Sequence, residues 1–396
     1  MTDTEAAADV PTPGRPQPSG PPASRWSALV ARVRRPGTPL GRHLRGLVIG
    51  AVIVIALLEL VSPFRVSQIT TLSYYVVACA GLTLLTGING QISLGHGALM
   101  AVGGYTTALL LPAGLPFLVA ILTGAVAAGI VGIIVGAAAA KLHGPYLAGA
   151  TLALAVGLPG LALAFADTLG GEQGLTVDVP RPPAWFADAH FFLFGSDPST
   201  TQYLAYIGAL VAGLVLFLLA NLHTSRYGRV WRAVRDDEVA AELAGLRLGR
   251  LRVLAFVVSA VCAGLAGGVL ALATRLVAPS GFTIVLSLSL IAAVVIGGLG
   301  SLTGAVLGSA VIVFLPPLVT GLGARAGLSD VQAAELAPLT YGLVLVLVMI
   351  FAADGAAGLV RRLGGRLRRR QGPGTGPPRS GHDAAQESDD AARRTS

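Results

Sequence analysis

"NGQISLGHGALMAVGGY", Asn89 to Tyr105, carries no acid, lysine or arginine, yet it sets Asn89, Gln91, Ser93 and His96 among five glycines. Apolar sequence flanks it on both sides. Uncharged polar groups and permissive backbone in such a setting need a reason. Non-helical backbone is tolerated at membrane depth only where protein buries it or where it lines a wet cavity. The stretch therefore implies a broken helix inside a helical membrane protein, beside a route for solute. Asn89, Gln91, Ser93, Gly95, His96 and Gly97 are its candidate path residues.

The surrounding composition supports a lipid solvent. The 396 residues are 54% hydrophobic and 12% charged, with a mean hydropathy of +0.73. A water-soluble domain carries about 25% charged residues. Cys79 and Cys262 both lie in apolar runs, so they read as buried small hydrophobes, with no disulfide framework and no metal spacing. The net charge of +8 fits basic ends beside a membrane; no basic, aromatic-interleaved surface for nucleic acid is present.

A crossing helix needs roughly 20 apolar residues. Ten such runs are expected, near 46–63, 68–87, 94–112, 115–139, 146–166, 202–222, 253–274, 284–299, 302–321 and 338–353. The fold class is thus an all-α polytopic membrane protein. Continuous apolar runs, rather than alternating ten-residue strands, exclude a β-barrel. The Pro/Gly-rich basic segments 1–45 and 355–396 cannot bury a core and are expected to be disordered tails flanking a 46–354 permease domain. With ten spans, both tails and the loop 223–252 share one side. If that side is the cytoplasm, all of the 28 basic residues except Arg65, Arg181, Arg275 and Arg325 lie inside, as the positive-inside rule requires.

No charged residue falls at the middle of an expected span, which argues against a chain that harvests an ion gradient unaided. Phosphate-loop, HExxH and G-x-S-x-G motifs are missing, so the energy source lies on another polypeptide. The loop "RYGRVWRAVRDDEVAAELAGLRLGR" (226–250) offers a contact for one. Its 230–243 part is expected as one amphipathic helix, with Val230, Val234, Ala241 and Leu248 on the apolar side, Asp236, Asp237 and Glu238 at a helix start, and Gly245 at its end. A second Gly-rich break, "GGLGSLTG" (297–304), adds Gly298, Gly300 and Ser301 to the path candidates. The bland alternative for both breaks is glycine serving close helix approach; His96 alone reads as a structural hydrogen-bonder. "AWFADAHFFLF" (184–194) is expected as a short helix on the outer membrane surface, compatible with a docking face.

Three stretches carry a family resemblance. "GLTLLTGINGQISLGHGALMAVGGYTTALL" (81–110), "GRVWRAVRDDEVAAELAGLRLGRLRVLAFVVSAVCAGLAGGVLA" (228–271) and "VVIGGLGSLTGAVLGSAVI" (294–312) resemble, in order, the hallmarks of the LivM-type branched-chain amino acid ABC transporter permeases. The resemblance implies a ten-helix fold like that of the vitamin B12-type importers, a bacterial plasma-membrane location and cytoplasmic termini. It implies as partners a LivH-like second permease, two ABC ATPase subunits and an extracytoplasmic solute-binding protein, besides membrane lipid. It also implies a non-catalytic subunit with no cofactor of its own, ATP being bound by the partners. Arg235, Asp236, Asp237, Glu238, Ala241, Glu242 and Gly245 match the ATPase-coupling element. One departure is Val156-Gly157-Leu158-Pro159, where many members carry an acid followed by Arg; it leaves cargo open between branched-chain or other hydrophobic amino acids and urea, short amides or another small solute. A self-sufficient carrier and a membrane enzyme are the remaining alternatives, and the scattered His residues disfavour the latter.

Overall fold

The structure is a computed structural model that describes residues 39–140, 145–179 and 181–329, with scattered positions between 331 and 358. The first helix, α1, runs Pro39–Leu60. It begins inside the segment expected as a tail: Pro39 opens it where a missing N–H costs nothing. The long helices that follow are α2 (Pro63–Leu82, continued by a π-helical turn Thr83–Ile88), α3 (His96–Leu110), α4 (Phe117–Ala139) and α5 (Pro145–Ala164). A two-residue strand β1 (Leu175–Thr176) and the helix α6 (Ala184–Phe194) precede α7 (Thr200–Thr224). The short helices α8 (Arg226–Asp236) and α9 (Glu238–Leu243) lead into α10 (Leu248–Thr274). β2 (Leu276–Val277) pairs antiparallel with β1; α11 (Ile284–Gly297) and α12 (Leu302–Arg325) follow.

Eight described helices are long and apolar enough to cross a membrane. α3 is not among them: its 15 residues fall short of the roughly 20 that a crossing needs, because the chain before His96 is non-helical. The eighth expected span is rescued by a 3-10 turn, Pro279–Phe282, ahead of α11. The tenth, 338–353, lies for the most part outside the described residues, as do both expected tails apart from 39–45 and Gly358.

α10 is the central column, packed on α2, α3 and α4; α7 joins α2 to α1, and α12 joins α2 to α11. Lipid gives no hydrophobic drive between helices, so small residues that let backbones approach do the work. Gly264 of α10 shows this: a Cβ there would lie 2.8 Å from the Ala125 Cα and 2.9 Å from the Gly124 carbonyl oxygen of α4. α1 does the opposite and turns Val48, Ile49, Val52 and Ile53 outward, as a lipid-facing helix does. It is held to α7 by a His43–Asn221 hydrogen bond of 3.1 Å.

α7 and α10 define two ends of the bundle. One carries α8 and α9, between the end of α7 and the start of α10. The other carries α6 and the long-range β1–β2 strand pair, at the start of α7 and the end of α10.

Candidate functional site

The opening stretch is a break in regular structure. Helix α2 loosens into its π turn, whose i→i−5 pattern ends with the Asn89 N–H on the Leu84 carbonyl at 3.1 Å. Such turns recur at functional positions. Backbone from Asn89 to Gly95 is irregular, and Gly90 takes φ +83°. The freed N–H groups are satisfied by other helices: Leu94 N–H donates to Thr151 Oγ1 of α5, and Gly97 N–H to Ser287 Oγ of α11, both at 3.0 Å. Helix α3 is thus capped in tertiary structure, having no side-chain cap of its own.

Every polar candidate here is buried. Asn89, Gln91, Ser93 and His96 are between 0% and 6% exposed. Gln91 Nε2 donates to Asn89 Oδ1 and, at 3.2 Å, to the Arg252 carbonyl. His96 Nε2 lies 3.2 Å from the Ala78 carbonyl. A carbonyl only accepts, so Nε2 carries the proton and Nδ1 is a bare acceptor. That fits a structural hydrogen-bonder. Among the described residues Asn89 Nδ2, Gln91 Oε1, Ser93 Oγ and His96 Nδ1 have no partner, nor do the hydroxyls of Thr83, Thr86 and Ser259. Buried polar groups are paired in the great majority of cases, so a cluster of orphans marks a place that wetting or a second conformation would satisfy. Gly95 and Gly97 are close-approach positions: Cβ atoms there would lie 2.6 Å from the Thr151 carbonyl oxygen and 2.9 Å from Ser287 Oγ.

The second break packs against the first. Gly298 and Gly300 adopt φ +112° and +78°, while Ser301 caps α12 by accepting from the Gly304 N–H at 3.2 Å. Gly87, at the first break, touches the Gly300 backbone so tightly that no side chain fits between them. The two Gly-rich stretches, more than 200 residues apart, form one junction.

The coupling element sits on that junction. The single helix expected over 230–243 is two, because Asp237 is extended (φ −156°, ψ 105°) and its carboxylate accepts from the Ala240 N–H at 3.0 Å, starting α9. A short polar side chain that bonds nearby backbone competes with the continuing helix. Gly245 ends the element at φ +83°, with open space around it. Val234 and Ala241 are buried; Asp236, Glu238 and Glu242 are exposed. Arg235 reaches inward and donates to the Gly87 carbonyl, its stem lying against Gly90. It also lies 3.7 Å from Asp236, in a pair too exposed to contribute much. Glu238 pairs with Arg252, whose side chain is 7% exposed and whose own carbonyl holds Gln91.

Trp231, Arg252, Thr151 and Ser287 are the participants that sequence reasoning missed. Trp231 is fully buried and donates to the Leu251 carbonyl at 3.0 Å, locking α8 to the start of α10. A lone Trp in an arginine-rich loop was the available signal for it. Thr151 and Ser287 are ordinary small residues of apolar spans, with no pattern to betray them.

At the strand-pair end, α6 is the surface helix its aromatic run suggested, with Trp185, Phe191 and Phe192 exposed. His190 is buried beneath it and bonds Glu59 Oε1 at 3.0 Å and the Ser196 carbonyl at 2.8 Å.

Comparison with known proteins places this arrangement. Residues 64–353 match the family model described as the permease component of the branched-chain amino acid transport system. The chain is 30% identical over 329 residues to the high-affinity branched-chain amino acid transport system permease protein LivM of Escherichia coli, covering 78% of this chain and 75% of that protein. It is 28% identical over 302 residues to LivH of the same organism, covering 73% and 93%. It is 26% identical over 308 residues to BraD of Pseudomonas aeruginosa, covering 74% and 94%. Among solved structures, PsaBC from Streptococcus pneumoniae in complex with Fab aligns over 79% of this chain and 99% of that one, at 16% identity and a TM-score of 0.39.

Proposed function

The chain belongs to the branched-chain amino acid transport permease family, and from that premise we propose that it forms, with a LivH-like second permease, the translocation path of an ATP-driven importer for branched-chain and similar hydrophobic amino acids. It is a multi-pass protein of the bacterial cell membrane. In the proposed assembly two ATPase subunits grip α8 and α9 from the cytoplasm. A solute-binding protein delivers cargo to the strand-pair end. This chain binds no nucleotide; the partners hold and hydrolyse ATP.

One observation carries the reading. The surface element that a motor can push is tied to both buried breaks: Arg235 to the Gly87 carbonyl, Gly87 to Gly300, and Glu238 through Arg252 to Gln91. A displacement of α8 therefore moves the junction beneath it. The orphaned polar atoms of Thr83, Asn89, Gln91 and Ser93 are the groups that a conformational change can wet or pair, which supports their place beside the path. Pushing on packed elements with two arrangements is how small shifts become switching transitions.

The test is reconstitution of this chain with its co-purifying partners in liposomes. ATP-dependent uptake of labelled leucine, lost on omission of either the ATPases or this chain, is the expected result. Uptake by this chain alone, without ATP, would overturn the proposal.

A further inference from the structure

At the strand-pair end the starts of α2 and α7 and the end of α10 line a partly open cavity of about 390 Å³. That volume is in the range of small-molecule sites. Its polar lining is five hydroxyls, from Ser67, Thr70, Thr71, Thr201 and Thr274, and one cation, Arg275; Leu204 and Ala273 complete the wall. Among the described residues no carboxylate or amide side chain lines it.

The hydroxyls and the cation offer opposite chemistry. Ser67, Thr70, Thr71 and Thr274 each donate to a backbone carbonyl at 2.8–3.1 Å. Their protons are committed, so the oxygens present lone pairs to the cavity and accept from an ammonium group. Arg275 can only donate. Among the described residues its guanidinium makes no hydrogen bond and no ion pair.

The backbone of Arg275 is unusual as well. It is the only non-glycine described with positive φ (57°), at the end of α10 where the chain turns into β2. Glycine suits that position; a residue with a Cβ is strained there. The turn is over-determined, because the Arg275 carbonyl accepts from the Val177 N–H at 3.0 Å. Strain held in place by its surroundings points to a side chain retained for use.

We infer that this cavity is a head-group subsite for a zwitterionic amino acid, with its carboxylate on Arg275, its ammonium on the hydroxyl oxygens of α2 and its apolar side chain against Leu204. The inference rests on the importer reading for which cargo arrives at this end. It adds a site within this chain that reads the two charges of the cargo.

The experiment is equilibrium binding to the permease–ATPase assembly in neutral-lipid nanodiscs, without the solute-binding protein. The probes are leucine, isovalerate, isoamylamine and isovaleramide. Wild type is expected to bind leucine more tightly than any of the three others, and the amide most weakly. Arg275→Gln and Arg275→Gly should weaken leucine and isovalerate at least tenfold and leave isoamylamine unchanged, while Arg275→Lys retains part of the affinity. Arg275→Gly relieves the strained turn, so its melting temperature should not fall; this separates ligand binding from a merely structural role. Thr71→Val should weaken leucine and isoamylamine but not isovalerate. The inference is overturned if wild type binds no leucine, if the glycine variant binds leucine as wild type does, or if the amide matches the carboxylate. Displacement of Arg275-dependent binding by anionic phosphatidylglycerol and not by leucine would make this a lipid head-group site instead, which also overturns it. Uptake is read separately: ATP-driven transport together with Arg275-independent binding removes the subsite and leaves the importer, and the converse result removes the importer alone.

Discussion

At the coupling end, Arg235, Glu238 and Trp231 each cross from the short helices to the body of the bundle; two of them end on backbone carbonyls and the third, Glu238, on the buried Arg252. At the strand-pair end, α6 is held by the His190–Glu59 bond and by Phe186 packed on Tyr203 and Tyr206, and the β1–β2 pair is two residues long on each strand. The first arrangement transmits a push, because backbone acceptors cannot swing away. The second leaves Arg275 without an ion pair among the described residues and an aromatic face open. An importer driven from one side and loaded from the other needs that asymmetry.

Substitutions can break the comparison. The largest effect belongs to the junction under α8. Gly87→Leu has no room against Gly300, and Gly95→Leu would drive into the Thr151 carbonyl 2.6 Å away; overpacking of this kind costs about 3 kcal/mol. Both should abolish ATP-driven uptake in liposomes, whereas Gly50→Leu, on an open face of α1, should transport normally. Equal loss in all three would show that bulk, not the junction, is the cause.

Glu238→Gln comes next. It strips the partner from Arg252, 7% exposed, while Glu238 itself is half in solvent (49%). A fully buried broken pair costs roughly 3–5 kcal/mol and an exposed one under about 1, so about 2 kcal/mol is expected here. ATP hydrolysis should continue while uptake falls several-fold. Adding Arg252→Met should recover melting temperature but not uptake, and recovery of both would remove the pair from the coupling route.

Asp237→Ala removes the cap of α9, a change of about 1 kcal/mol, and Asp237→Asn should retain it. The expected reading is a modest fall in coupling ratio for alanine alone. The smallest effect on uptake should come from His190→Ala, which loses two hydrogen bonds, to Glu59 and to the Ser196 carbonyl, of about 1 kcal/mol each, at the end that carries no thrust. Uptake should fall less than twofold. If it falls as far as in Glu238→Gln, the proposed division of labour between the two ends is wrong.

Much of the molecule was legible in the chain. Helical spans follow from apolar runs of membrane length, since lipid leaves backbone groups no partner but their own helix. The two breaks were visible as glycine with uncharged polar residues, and the coupling element as a mixed-charge loop closed by Gly245. The split of that loop at Asp237 was not legible, because Asp serves equally as a first-turn residue and as a cap. The shortness of α3 was missed for a related reason: hydropathy does not register where a helix starts when its cap, Ser287, comes from a helix 190 residues away.

The sequence alone determined the solvent, the all-helical class and the places where helices must break, because these depend on local composition and on the reach of 20 residues. Only the tertiary structure decided that the two breaks meet, that Arg235 lands on Gly87, and that five hydroxyl residues line one cavity with Arg275. Those facts join residues far apart in the chain, and no local pattern encodes which glycine will face which.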